Sequence, residues 1–483
     1  MSGNERIVVV GNGMAAVRLV EGLVARGVTA GITVLGEEPH APYNRILLSA
    51  VLEGTHRADA ITLRSERWYA DAGVDLRLGM RVVDIHRDER EVELADRTRM
   101  PYDRLVLATG SNPTLPPIRG LVRGDGRLHE KVHAFRSLAD TTRLLEALES
   151  GTVRRAVVVG GGLLGLQVAR ALSIRGVETE IVEGGEHLLR SHVDEQAGRI
   201  LERSLARLGT TAYTGARAVR LTDGVDGAGL RLDNGFTLET DLVVLTAGGR
   251  PSVNLAKRAG IATRRGVVVD DTLASVDDGR IHAIGDCAEV SIGGEGRTTG
   301  FVPPAWEQAN VLAARLAGAT TTYTGHKLVA RLRATGLEVA VLGDPADTVG
   351  ATDGVAGEVV QVANPVTGSL RKLVVRDGVI VAATLIGDLS RIGLITQAYD
   401  RGTVVGPHEP GQLLMGFAKQ ASGEDTVRAL PDDAEVCACA GVSAGRIRGC
   451  SSLEDVRERT RATTGCGGCT TAVTTLLESR VTV

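Results

Sequence analysis

The chain has 483 residues and carries 55 basic against 59 acidic side chains, a net charge of -4. That length exceeds what one hydrophobic core organises, so three or four domains are expected. The near balance of charge, with no Lys/Arg run, excludes a basic footprint for nucleic acid or a membrane surface, and 43% hydrophobic residues with 61 glycines against 14 prolines exclude a disordered or fibrous chain.

The first apolar run starts at Ile7, which leaves no space for a secretory leader. The longest uncharged stretch, Ala156 to Ala169, contains four glycines and is shorter than the ~18 residues of a membrane span. A cytoplasmic protein without a membrane segment is expected. Ile7 to Val10 leads into Gly11-Asn12-Gly13-Met14-Ala15-Ala16, a helical pattern runs through Arg26, and a second apolar run, Ile32 to Leu35, precedes Glu37. This is the order of a dinucleotide-binding unit: Gly11 permits the tight turn, Gly13 lets the backbone approach a pyrophosphate, Ala16 is small enough for close packing, and the acid meets ribose hydroxyls.

Tyr102 to Gly110 reads as a buried strand ending in a glycine turn, and the dinucleotide order then recurs. Val157 to Val159 precedes Gly160-Gly161-Gly162-Leu163-Leu164-Gly165, a helix runs to about Arg175, and Glu180 to Val182 ends at Glu183. Two nucleotides are therefore expected. Gly184 and Gly185 follow Glu183 with no adjacent arginine, although Arg190 is close, so NADH is favoured over NADPH at the second unit. A further buried strand, Arg280 to Ile284, places Asp286 where ligands of doubly wound sheets bind; capping of the next helix is the alternative role for that carboxylate.

From about residue 321 to 405, strand patterns such as Leu373 to Val375 and Val381 to Leu385 alternate with a helical run, Arg391 to Tyr399. Gly406 to Asp433 has linker character, with Leu413 to Phe417 as an alternative docking helix. Cys437, Cys439, Cys466 and Cys469 form two close pairs whose four thiolates suit a [2Fe-2S] cluster or a structural zinc. Cys287 and Cys450 read as packing residues.

The segments Glu37 to Arg45, Gly162 to Leu166, Gly285 to Glu289 and Trp306 to Ala309 resemble two-dinucleotide-fold flavoprotein reductases. Within that family the chain resembles the flavin-binding part of NAD(P)H nitrite reductase large subunits and the electron-transfer subunits of assimilatory nitrate reductases. The cysteine segment resembles bacterioferritin-associated ferredoxin in Cys439 to Ser443 and Thr463 to Cys466, with a shorter gap between the pairs than is usual there. The resemblance implies an α/β chain with two Rossmann-like domains, an α+β C-terminal interface domain and a small helical [2Fe-2S] domain. The expected division is 1-118 and 249-320 for FAD, 119-248 for NAD(H), 321-405 for the interface domain, 406-430 as linker and 431-483 for the cluster.

By that resemblance the FAD site uses Gly11, Gly13, Ala15, Ala16, Glu37, Arg45, Val83, Thr109, Gly110, Asp286 and Val302, with Asp286 on the ribityl chain and the helix near Pro304 facing the flavin. Gly160, Gly162, Gly165, Gln167, Glu183 and Gly249 are the expected NAD residues, with Gln167 the candidate nicotinamide contact. Cys437, Cys439, Cys466 and Cys469 are the expected cluster ligands. Many members of that family carry a Lys and a Glu where this chain has Ala50 and Gln167; losing both leaves no unpaired charge. The implied activity is NADH oxidation feeding the molybdenum-containing catalytic subunit of an assimilatory nitrate reductase. Alternatives are a separate nitrite reductase, a rubredoxin or an oxygenase ferredoxin as acceptor, and, in a different class, a redox-sensing binding protein. The first 286 residues hold no cysteine for flavin-linked disulfide chemistry, and too few cysteines remain elsewhere for a sirohaem centre.

Overall fold

A computed structural model describes residues 5–28, 30–224, 227–334, 336–343, 357–406, 408–415, 427, 430–437, 442–464 and 469–478. The first apolar run forms the strand Arg6–Val10, flanked in parallel by Gly31–Leu35 and Arg104–Leu107, with Val8 opposite Thr33 on one side and Leu105 on the other. Ile281–Ala283 and Asp75–Arg77 complete a five-stranded parallel sheet. A strand covered on both faces needs apolar side chains at every position, which is why Ile7, Val8, Val9 and Val10 are all buried. Ala16, Leu19, Val20 and Leu23 give the Met14–Ala25 helix an apolar stripe at helical spacing, and the helix packs against Val302–Leu316.

A second parallel sheet is ordered Thr210–Thr214, Glu178–Glu183, Arg155–Val159, Leu242–Leu245, Val132–Ala134. The chain leaves the first sheet and returns to it through an antiparallel ribbon, Ser111–Pro113 against Gly249–Pro251. Each parallel sheet is therefore one unit, and the second is inserted into the first.

The segment after the Val302–Leu316 helix builds a five-stranded antiparallel sheet, Val329–Ala334, Leu337–Leu342, Val379–Ile386, Ser369–Arg376, Glu358–Asn364. Leu332, Leu337 and Leu370 share a core with Leu172 and Leu205 of the second unit. Alternate residues, among them Leu342, Leu373 and Leu385, turn to the other side to meet Ile395 and Tyr399 of the Ile392–Arg401 helix. Leu413 lies in a short helix, Glu409–Leu414, whose Pro410 and Leu414 are buried and which packs against this sheet; Phe417 lies outside the described residues.

At the C-terminus Glu435–Cys437 pairs with Val442–Ser443, and the helices Ala444–Arg448, Leu453–Thr460 and Thr470–Glu478 enclose Val442, Ile447, Val456, Val473 and Leu476. Among the described residues no helix is long and apolar enough to cross a membrane.

Candidate functional site

The first glycine turn is shaped by backbone constraints. Gly11 has φ +107°, and a side chain there would collide with the Ala108 carbonyl. Gly13 precedes the Met14–Ala25 helix with no side-chain cap, no acid in the first turn and open space where a Cβ would stand. Elsewhere Ser137 and Asp194 cap their helices through side-chain oxygens, so the bare N–H groups after Gly13 are left for an anion. Asn12 Nδ2, in the same turn, is buried with no hydrogen-bond partner among the described residues. A cradle that a Cβ would fill and an orphaned donor fit a pyrophosphate. Ala15 packs on Gly285, joining the loop to the Asp286 turn, and Ala16 is fully buried. Glu37 stands exposed just beyond its strand, 3.5 Å from Arg81 Nε.

Asp286 lies at the turn Gly285–Cys287 and does not serve as a helix cap. Its Oδ2 accepts from Arg136 Nη2 at 2.6 Å and from Ser111 Oγ at 2.9 Å. Arg45 pairs with Glu38, donates to the Arg136 carbonyl at 3.1 Å and lies over the Tyr43 ring. Tyr43 Oη donates to Glu38 at 2.7 Å and accepts from Leu138 N–H at 2.9 Å, and burial pushes its phenol pKa up. Thr109 Oγ1 donates to the Ser252 carbonyl at 2.9 Å, and the Gly110 carbonyl accepts from Ser252 N–H. Val302 opens its helix and packs with Met14, Val17 and Trp306. Trp306 Nε1 donates to the Met14 carbonyl at 3.2 Å, and buried Gln308 accepts from Gly285 N–H at 2.7 Å. The Trp306–Gln308 motif thus ties that helix to both the glycine loop and the Asp286 turn. Val83 lies in the strand Val82–His86, its carbonyl taken by Arg258. Arg136 and Ser111 carried no motif; Ser111 follows the recognisable Thr109-Gly110 turn directly.

At the second turn Gly160 has φ +117°, and Gly165 is packed so closely on the Gly160 carbonyl that no side chain fits. Gly162 precedes the Leu163–Ile174 helix without a side-chain cap. Glu183 accepts from Gly161 N–H and Gly185 N–H, both at 2.7 Å, so its carboxylate is fixed beside the turn. The fold brings Arg190, already close in sequence, against Gly185 and adds Arg217 against Gly184, so two arginine side chains flank the turn. Gly249 lies on the connecting ribbon opposite Pro113. Half-buried Gln167 lies on the helix that packs against Leu48–Glu53, the short helix bearing Ala50.

Cys437 and Cys469 are buried in one small core, and Thr463 N–H donates to Cys469 Sγ at 3.2 Å. Two sulfur donors in one core, with an N–H aimed at one of them, fit thiolate ligation of a cluster. Cys439 and Cys466 lie outside the described residues. Cys450 is buried in the same core and donates to the Arg446 carbonyl, whereas Cys287 is buried in the first unit and donates to the Leu107 and Ile284 carbonyls; these bonds are in keeping with packing roles, and burial raises the Cys287 pKa.

Residues 5–309 match the family model of pyridine nucleotide-disulphide oxidoreductases. The chain belongs to this family. Residues 435–479 match the BFD-like [2Fe-2S] binding domain, which decides between iron–sulfur and zinc for the cysteine segment. The NAD(P)H nitrite reductase of Bacillus subtilis is 34% identical over 485 residues, covering 99% of this chain and 58% of that protein. The assimilatory nitrate reductase electron transfer subunit of the same organism is 30% identical over 98% of this chain and 59% of its own length. Rhodocoxin reductase of Rhodococcus erythropolis is 32% identical, covering 66% of this chain and 73% of that one. A ferredoxin reductase from Rhodopseudomonas palustris superposes with a TM-score of 0.71 at 26% identity, over 80% of this chain and 91% of that structure. This chain spans a little over half the length of the first two relatives. This member of the pyridine nucleotide-disulphide oxidoreductase family is an NAD(P)H-dependent flavin oxidoreductase carrying a [2Fe-2S] domain.

Proposed function

We propose that this chain oxidises NADH and delivers the electrons singly to a separate redox protein, the molybdenum-containing catalytic subunit of an assimilatory nitrate reductase. When bound, the flavin accepts hydride and the cluster releases single electrons. The observation that carries this reading is a direct contact between the two cofactor regions. Asn44, in the flavin segment Tyr43-Asn44-Arg45, donates from Nδ2 to the Thr464 carbonyl, and Thr464 adjoins Thr463, whose N–H points at Cys469 Sγ.

On this reading the chain's residues bind and orient, and no side-chain general base is needed. The Gly11–Gly13 backbone and the Met14 helix N-terminus hold the FAD pyrophosphate, Glu37 the ribose, and Asp286 the ribityl hydroxyls in place of its present donors. Arg45, Val83, Thr109, Gly110 and Val302 line the same site, within residues 1–118 and 249–320. Gly160, Gly162 and Gly165 would shape the turn for the nicotinamide nucleotide, Glu183 would take its ribose, Gln167 would contact the nicotinamide, and Gly249 would belong to the same site. Cys437, Cys439, Cys466 and Cys469 hold the cluster. NADH is the preferred donor because the Glu183 carboxylate repels a 2′-phosphate.

A second acceptor, a nitrite-reducing centre, is favoured by the higher identity to the nitrite reductase than to the nitrate reductase subunit. Purified holoprotein mixed in turn with a nitrate reductase catalytic subunit and a nitrite reductase separates the two. Nitrate-dependent NADH oxidation supports the first reading, nitrite-dependent oxidation supports the second, and activity only with a rubredoxin or an oxygenase ferredoxin contradicts both.

A further inference from the structure

The short loop Arg461 to Thr464 joins the cysteine domain to the flavin domain. Arg461 has φ +63° and Thr463 φ +70°, a conformation that side-chain-bearing residues seldom adopt unless their surroundings hold them there. The Arg461 side chain is only 6% exposed and pairs with Glu21, which is 12% exposed and sits on the helix that follows the first glycine turn. Its guanidinium stands 5.4 Å over the Trp306 ring, the ring whose Nε1 holds the Met14 carbonyl. Glu21 also receives Arg64 Nε at 2.7 Å, and Arg18 approaches to 4.0 Å. Arg64 in turn donates to the Glu458 carbonyl of the cysteine domain at 3.1 Å. Arg457 Nε fixes Thr463 Oγ1 at 3.1 Å, and Thr463 N–H reaches Cys469 Sγ.

We infer that Arg461 is a positioning residue that seats the cysteine domain on the flavin domain, with Glu21 and the Trp306 face as its receptor. The inference rests on the proposed function for its purpose, since a seated domain keeps the cluster beside the flavin. The seat itself rests only on this chain's contacts. Three guanidinium groups surround one carboxylate, and Arg461 Nε and Nη2 have no acceptor among the described residues. Glu21 is therefore the charge on which the seat depends. Burial alone would expel an unpaired guanidinium.

The test uses the full-length holoprotein and the Arg461→Met, Arg461→Lys and Glu21→Gln variants. Small-angle X-ray scattering without NADH reads the seat, and anaerobic rapid mixing with NADH reads flavin bleaching and the cluster's paramagnetic signal separately. For Arg461→Met, flavin bleaching should keep its rate, cluster reduction should slow about tenfold or more, and the radius of gyration should rise. Arg461→Lys should recover much of both losses, and Glu21→Gln should expand the molecule as Arg461→Met does. Unchanged scattering in both Arg461→Met and Glu21→Gln overturns the inference, as does slowed cluster reduction at unchanged scattering. If NADH fails to reduce the cluster in the unaltered chain, the proposed function falls, while the scattering comparison still decides whether the seat exists.

Discussion

The Asp286 carboxylate accepts from Ser111 and Arg136 at once, so Asp286→Ala removes the counter-charge of Arg136 together with the proposed partner of the ribityl chain. The purified variant is expected to retain about a tenth or less of the flavin bound by the unaltered chain, measured by absorbance, and to lose roughly 1–3 kcal/mol of stability. At the second turn Glu183 and two arginines act in opposite directions on a 2′-phosphate. Replacing Arg190 and Arg217 together by alanine should lower kcat/KM for NADPH about tenfold and leave that for NADH nearly unchanged in steady-state assays. The glycine turns and the acids that follow them were legible in the sequence because the pattern is local, with strand, turn, helix and acid following in order. Arg136 was not, because only the insertion of the second unit into the first brings it to Asp286. Arg217 was hidden because folding within the second unit, not adjacency, carries it to Gly184.

Helix ends show how much of the site belongs to whole elements. Ser137 and Asp194 satisfy their own helices, whereas Gly13 and Gly162 leave backbone N–H groups open to a phosphate. The Val302–Leu316 helix has no side-chain cap and no acid in its first turn, and Gln308 and Trp306 fix where it starts. Gln308→Leu keeps an apolar volume but strips Gly285 N–H of its acceptor in a buried turn. A loss of roughly 1–3 kcal/mol in chemical denaturation is expected, accompanied by weaker flavin retention because Asp286 shares that turn.

At the scale of the molecule, two dinucleotide-binding units were legible from continuous apolar runs and glycine turns, and two strands of the antiparallel sheet from the runs around Leu373 and Leu385, while its strand order was not. What the sequence hides is how the pieces sit together. Arg461 and Glu21 are 440 residues apart, and neither belongs to a motif, because a buried ion pair across a domain contact has no local pattern to betray it. That contact nevertheless brings the Asn44 segment of the flavin domain against the loop before the second cysteine pair. One chain is expected to take electrons from NADH and hold them on two different carriers. Anaerobic titration of the purified holoprotein with NADH, followed by visible absorbance and electron paramagnetic resonance, tests it most directly. Bleaching of the flavin band together with the signal of a reduced [2Fe-2S] cluster is expected; bleaching with the cluster present but never reduced would mean that no electron path joins the two carriers.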